Sequence, residues 1–291
     1  MNDADSLGAF LAAHPLYLYT LVTLLGLMVG SFLNVVILRL PRMLQREWTR
    51  DCRAHLELPE AEEEPRLTLA FPGSHCPGCN APIRAWQNIP VLSYLLLRGR
   101  CANCAMSIGW RYPATEAITG LASLAVAMLV PFGPDLLAAL ILTWCLVALA
   151  GIDIDTQLLP DNITLPLLWL GLLYNLFLGP VALADAVIGA AAGYLLLWSV
   201  YWLFRLATGK EGMGFGDFKL LAALGAWLGW QSLPLIVLLS SVVGAVIGVL
   251  MIVLRGGDRQ QPLPFGPYLA MAGWLTLLFG EELARFIGIA P

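Results

Sequence analysis

From residue 220 to residue 254 the chain runs for 35 residues without an Asp, Glu, Lys or Arg. As one helix this stretch would be about 52 Å long at about 1.5 Å per residue, far beyond the roughly 30 Å hydrocarbon core of a bilayer. It therefore reads as two crossings, broken at Trp230-Gln-Ser-Leu-Pro234, where polar residues and a proline interrupt the run. The same reading gives predominantly apolar spans at 15–38, at two places between 112 and 151 separated by Pro131-Phe-Gly-Pro-Asp135, and at 162–178, 184–206 and 267–287. Only 12% of the residues are charged, about half the share a soluble domain uses to face water. The expected fold is an all-α polytopic membrane protein with eight transmembrane helices, the sixth being short.

Composition also excludes several classes. A chain that is 59% hydrophobic is neither disordered nor collagen-like. A net charge of −4 argues against a nucleic-acid binder, which presents a basic surface. The N-terminus lacks Lys, Arg and a cleavage-site pattern before an apolar run too long for a signal peptide, so residues 15–38 read as a retained anchor.

Ten of the 16 Lys and Arg lie between Arg39 and Arg111. Taken on alternate sides, Arg205, Lys210, Lys219, Arg255 and Arg259 fall on the side of that large loop, and the opposite loops have none. Basic residues are retained on the cytoplasmic side, so the loop is expected there and both termini on the far side. Three parts follow: an N-terminal transmembrane helix (1–38), a cytoplasmic loop domain (39–112) and a seven-helix membrane domain (113–291).

The loop carries Cys76-Pro-Gly-Cys79 and Cys101-Ala-Asn-Cys104 with 21 residues between the pairs. Two such knuckles can present four thiolates tetrahedrally, which suits Zn²⁺. Four Cys leave no open position for water, so the metal would be structural and the loop zinc-ribbon-like. A pair of disulfides is disfavoured in a reducing cytosol, and a redox-active C-x-x-C lacks its βαβ context. Cys52 and Cys145 read as incidental thiols, His75 as a solvated side chain, and Glu60, Glu62, Glu63 and Glu64 as a solvated linker face.

Ionisable residues beside long apolar helices are candidates for function. Asp153 and Asp155 end the third predicted span, and Gly214-Phe-Gly216-Asp217 opens the sixth. Both fall at the predicted cytoplasmic face, where two carboxylates from different helices can meet. Such a pair shares a proton and activates water against a carbonyl. Gly214 and Gly216 would let an extended peptide backbone approach. The same pair could bind a cation or relay protons in a transporter, and an Asp at a helix start is often an N-cap, the reading given to Asp161.

At this point the sequence resembles the type IV prepilin leader peptidases of bacteria, which share Gly-x-Gly-Asp with presenilin-like intramembrane aspartyl proteases. The resemblance rests on Gly30-Ser-Phe-Leu-Asn-Val-Val-Ile-Leu-Arg-Leu-Pro41, the segment from Cys76 through Asn88-Ile-Pro-Val-Leu-Ser93 and Leu97-Arg-Gly-Arg-Cys101 to Arg111-Tyr-Pro113 and Glu116, Leu159-Pro-Asp161, Gly214-Phe-Gly-Asp217 and Pro264-Phe-Gly-Pro267. It implies a bifunctional enzyme of the bacterial inner membrane with its active site facing the cytoplasm. Such an enzyme cuts the basic leader from type IV prepilins and type II secretion pseudopilins after a Gly. It then N-methylates the new terminus with S-adenosylmethionine. Asp153 and Asp217 would be the protease dyad, Cys76, Cys79, Cys101 and Cys104 the zinc ligands, and Pro264 and Gly266 part of a supporting motif. Glu116 is a candidate for holding a cation such as the new ammonium, with a salt bridge to an Arg as its rival. No Gly-x-Gly-x-x-Gly follows a strand, so a Rossmann-type site for the methyl donor is not expected. A cleavage-only peptidase of the same fold and a zinc-stabilised cation transporter are the alternatives.

Overall fold

A computed structural model describes residues 8, 10, 11, 13–59, 65–210, 212–255 and 264–288. The acidic stretch at Glu60 to Glu64 lies outside the described residues, as does Arg259. Among the described residues eight helices of 14 residues or more stand at the eight predicted positions: α1 Pro15–His55, α2 Arg111–Leu129, α3 Pro134–Thr156, α4 Asp161–Phe177, α5 Leu183–Thr208, α6 Phe215–Leu228, α7 Leu233–Arg255 and α8 Gly266–Ile287. Both predicted breaks hold: Pro134 starts α3, and a 3₁₀ turn, Trp230–Ser232, separates α6 from α7. Among the described residues five helices are long and apolar enough to cross a membrane, which makes this a multi-pass membrane protein. No strand occurs among the described residues, only isolated bridges at His75 with Pro82 and Arg100 with Ser107.

The chain divides into two compact units, Met1–Met128 and Leu129–Pro291. In the first, α1 is 41 residues long, about 62 Å at about 1.5 Å per residue. The sequence reading ended this helix at Leu38, where the apolar run stops. The helix itself continues, because eleven of residues 39–55 are Arg, Leu, Met, Gln, Glu or Ala, which favour helix whatever their polarity. Pro41 is carried inside it and buried. Arg39 and Arg46 donate to the carbonyls of Thr68 and Pro65, tying the returning chain to α1. The pairing of α1 with α2 relies on small residues. A Cβ on Gly30 would lie 2.8 Å from the Glu116 Cα, and one on Gly120 would lie 2.7 Å from a Leu27 methyl. Asn34 donates to the Tyr112 carbonyl at 3.1 Å.

In the second unit α6 is the hub, packed on α4, α5, α7 and α8. Its ten residues from Asp217 to Trp227 that are buried cover every side of the helix, as expected of a helix enclosed by protein rather than lipid. That explains how a helix of 14 residues, about 21 Å long, persists here. Gly189 and Gly193 of α5 meet the backbone of Gly225 and Leu221, a small-xxx-small contact. The buried carbonyls at the end of α6 are met by Asn175, which donates to Ala226 at 2.9 Å and Trp227 at 3.0 Å. Trp227 in turn donates to the Leu167 carbonyl at 2.8 Å. Gly225→Val is expected to force α5 from α6 and cost about 1–3 kcal/mol or more, in the range of overpacking. Thermal unfolding of the purified variant in detergent, beside wild type, measures this.

Candidate active site and metal centre

Asp153 stands in the last turn of α3 and Asp217 in the first turn of α6, both buried, at 5% and 7% exposure. They are close enough for the charge of Asp153 to act on Asp217. Asp153 Oδ2 accepts the backbone N–H of Gly266 at 2.9 Å. Gly266 is the first residue of α8, so its amide is one of the four that a helix leaves unpaired. A carboxylate there also meets the positive end of the helix dipole. Asp217 lies at the start of its own helix, and its Oδ1 is buried with no hydrogen-bond partner among the described residues. Buried polar oxygens are nearly always satisfied, so an orphan on a carboxylate marks a place for a water or a shared proton.

Leu159 is the wedge of this arrangement. A Cβ on Gly216 would fall 2.7 Å from the Leu159 Cβ, and one on Gly266 would fall 3.1 Å from its Cδ2 and 2.7 Å from Asp153 Oδ2. The space beside Gly216 is therefore taken by Leu159, not open to a peptide as the sequence reading supposed. Gly214 fits that expectation better, being exposed with nothing nearer than 3.8 Å to an added Cβ. Pro264 is half-buried in the turn that leads into α8. Asp161 is not the N-cap: Pro160 holds that position, and Asp161 takes both its oxygens to Lys219 Nζ at 2.6 and 2.8 Å. Asp155 is exposed. Sequence reasoning missed the roles of Leu159 and the Gly266 amide. A backbone donor leaves no side-chain signature, although the glycine was itself a signal.

In the first unit the four cysteines come together, all sulfurs within 4.8 Å of one another and none in a disulfide. Cys76 and Cys104 sulfurs are 3.7 Å apart, near the roughly 3.8 Å edge of a tetrahedron with metal–sulfur bonds of about 2.3 Å. The two knuckles repeat one backbone pattern. Cys76 N–H donates to the Ala81 carbonyl and Asn80 N–H to that of Cys76, while Cys101 N–H donates to Met106 and Ala105 N–H to Cys101. The closing residues Asn80 and Ala105 take left-handed backbone at φ 55° and 56°. A Cβ on Gly78 would lie 2.5 Å from the Met106 sulfur, so the flexible end of that side chain would have to move aside. The Asn103 side-chain amide holds the Cys79 thiol down to about 6, and backbone amides of Cys104 and Asn103 lower that of Cys101. Both effects favour thiolate, the form that binds metal. The cluster can hold a metal ion.

Glu116, buried in α2, accepts the Val91 N–H at 2.7 Å. That oxygen is spent on a loop amide. The turn it fixes is tight: Val91 has φ 60°, and Leu92 N–H reaches back to the Pro90 carbonyl, a strained γ-type turn.

Comparison with known families completes the site. Residues 24–130 match the bacterial peptidase A24 N-terminal domain, and residues 140–249 match the type IV leader peptidase family. The chain belongs to the type IV leader peptidase family. It is similar to a protein of Aeromonas salmonicida (strain A449), at 58% identity over 94% of each chain. It is also similar to proteins of Pseudomonas putida, at 56% over 96% of each, and Pseudomonas aeruginosa, at 54% over 95% of each. Each of the three is named prepilin leader peptidase/N-methyltransferase. No solved structure matches the chain. In this leader-peptidase chain both candidate aspartates fall in one compact unit and all four cysteines in the other.

Proposed function

We propose that the protein is a bifunctional membrane enzyme, cutting the leader from type IV prepilins and type II secretion pseudopilins and then N-methylating the new terminus. The observation that carries the peptidase reading is the buried pair Asp153 and Asp217, from different helices, with one carboxylate oxygen of Asp217 unpartnered among the described residues. In the reaction one carboxylate, ionised, takes a proton from water, and the other, protonated, donates to the scissile carbonyl oxygen. The resulting tetrahedral carbon collapses as the leaving nitrogen is protonated, giving a new carboxyl on the leader and a free amine on the pilin. The Gly266 amide fixes the Asp153 carboxylate during these transfers. Which aspartate starts as base is a property of the pair.

The substrate follows from the same geometry. A prepilin has a basic leader before an apolar helix, so the helix stays in the bilayer and the leader stays cytoplasmic. The scissile bond then sits at the interface, where the ends of α3 and α6 carry the dyad and exposed Asp155 favours a basic segment. We place the protein in the bacterial inner membrane with eight crossings and this site facing the cytoplasm.

For the second activity the donor would be S-adenosylmethionine: the new amine attacks the methyl carbon, the thioether leaves, and the ammonium loses a proton. With no strand in the described residues the donor site is not of Rossmann type. The four cysteines would hold Zn²⁺ and supply a fixed cross-link to the loop domain, with no open position for chemistry. Purified protein is expected to carry one zinc per chain by elemental analysis. Cys76→Ser is expected to lose it and to expose residues 65–110 to limited proteolysis. Full metal content in that variant would show the assignment to be wrong. Cleavage itself is tested by the aspartate variants treated in the Discussion.

A further inference from the structure

Between 65 and 111 the loop has five Arg and no Asp or Glu. Even with four thiolates around a divalent ion its balance stays positive. It also exposes several large apolar side chains close together in sequence. The one-turn helix Leu92–Leu96 shows Leu95 and Leu96 at 65% and 68% exposure, and Trp110 stands at 76%. Trp86, Ile89 and Leu92 are exposed beside them in sequence.

The depth of this turn is fixed by hydrogen bonds within the first unit. Val91 is bound to Glu116, Glu116 packs on Gly30, and Tyr112 is bound to Asn34. Gly30 and Asn34 both lie inside the uncharged run of α1, before Arg39. The chain entering Leu92–Leu96 is therefore tethered alongside the part of α1 and α2 that the bilayer covers. Its backbone can tolerate such a place. Ser93, Leu95, Leu97, Arg98 and Gly99 all donate to carbonyls of the same turn, leaving few amides for water.

We propose that Leu92–Leu96, with exposed Trp86 and Trp110 of the same loop, is an interfacial anchor seated in the cytoplasmic leaflet, with exposed Arg84, Arg98 and Arg100 meeting anionic phospholipid headgroups. Aromatic and long apolar side chains at that depth, with Arg at the rim, are the chemistry of monotopic membrane attachment. A basic substrate leader is the poorer occupant, since five Arg repel it. The anchor holds the metal domain against the membrane surface. The inference rests on the crossing of α1 and α2 in the proposed topology.

The test uses full-length protein carrying a photoreactive benzoylphenylalanine at position 95 or 96, reconstituted in vesicles of phosphatidylethanolamine and phosphatidylglycerol. Position 24 in α1 serves as the lipid control and position 50, beyond Arg39, as the aqueous one. Unchanged metal content shows that each variant is folded. After irradiation, peptides from positions 95 and 96 are expected to carry phospholipid adducts at yields like position 24 and several-fold above position 50. Replacing phosphatidylglycerol by phosphatidylcholine is expected to lower those yields. Unchanged yields overturn the headgroup assignment. Adducts at 95 and 96 only to protein, only to an added prepilin, or at the level of position 50 overturn the anchor, while labelling at 24 keeps the membrane reading. Failure at 24 as well removes the crossing of α1, and the anchor with it.

Discussion

Asp217→Asn lowers prepilin cleavage by about 10³-fold or more, and Asp153→Asn does the same, since each removes a proton carrier from the transition state. The double variant is no slower than either single one, because the two carboxylates act as a unit. Asn is nearly isosteric and keeps an oxygen for the Gly266 amide, so both variants fold. A competing account makes Asp217 a helix cap only. It predicts a loss of about 0.5–2 kcal/mol in stability with turnover per folded molecule intact. Cleavage rates of purified variants, set beside their unfolding midpoints, separate the two accounts.

Gly266→Ala is expected to cost about 10²-fold in cleavage, the scale of a misplacement of about 1 Å at a reacting group. Its methyl would stand 2.7 Å from Asp153 Oδ2 and 3.1 Å from its Cγ, so the carboxylate must turn away from its donor. Gly214→Ala serves as the contrast. An added methyl there meets nothing within 3.7 Å in the folded chain, so any loss it causes is in substrate binding and appears in KM. Steady-state kinetics on one prepilin substrate distinguishes these patterns.

Much of the architecture was legible in the apolar runs, because lipid imposes length and composition on a helix more strictly than water does. The breaks at Pro131 to Asp135 and Trp230 to Pro234 were readable for the same reason. The continuation of α1 to His55 was not, since residues 39–55 are charged and lipid compatibility marks where a span ends, not where its helix does. Enclosure of α6 by four helices was half legible: an unbroken apolar surface says buried, but not by what. The cysteines announced their cluster by spacing alone. The two aspartates were visible as carboxylates at helix ends, whereas their meeting at Leu159 and the Gly266 amide depends on contacts 57 to 113 residues apart. Asn175 is a further signal, an amide deep in an apolar helix that closes the end of α6. Glu116 reads as a partner for a cation or for an Arg, and the structure gives one of its two oxygens to the amide of Val91.

The most direct test of the central claim is the intact mass of a prepilin substrate after incubation with purified protein and S-adenosylmethionine carrying a labelled methyl group. Wild type is predicted to release a product that lacks the leader and carries one labelled methyl on its new N-terminus, and Asp153→Asn and Asp217→Asn to leave the substrate at its full mass. A product cut by either folded Asn variant at the wild-type rate, or a substrate left whole by active-site-intact protein in lipid, would contradict the account.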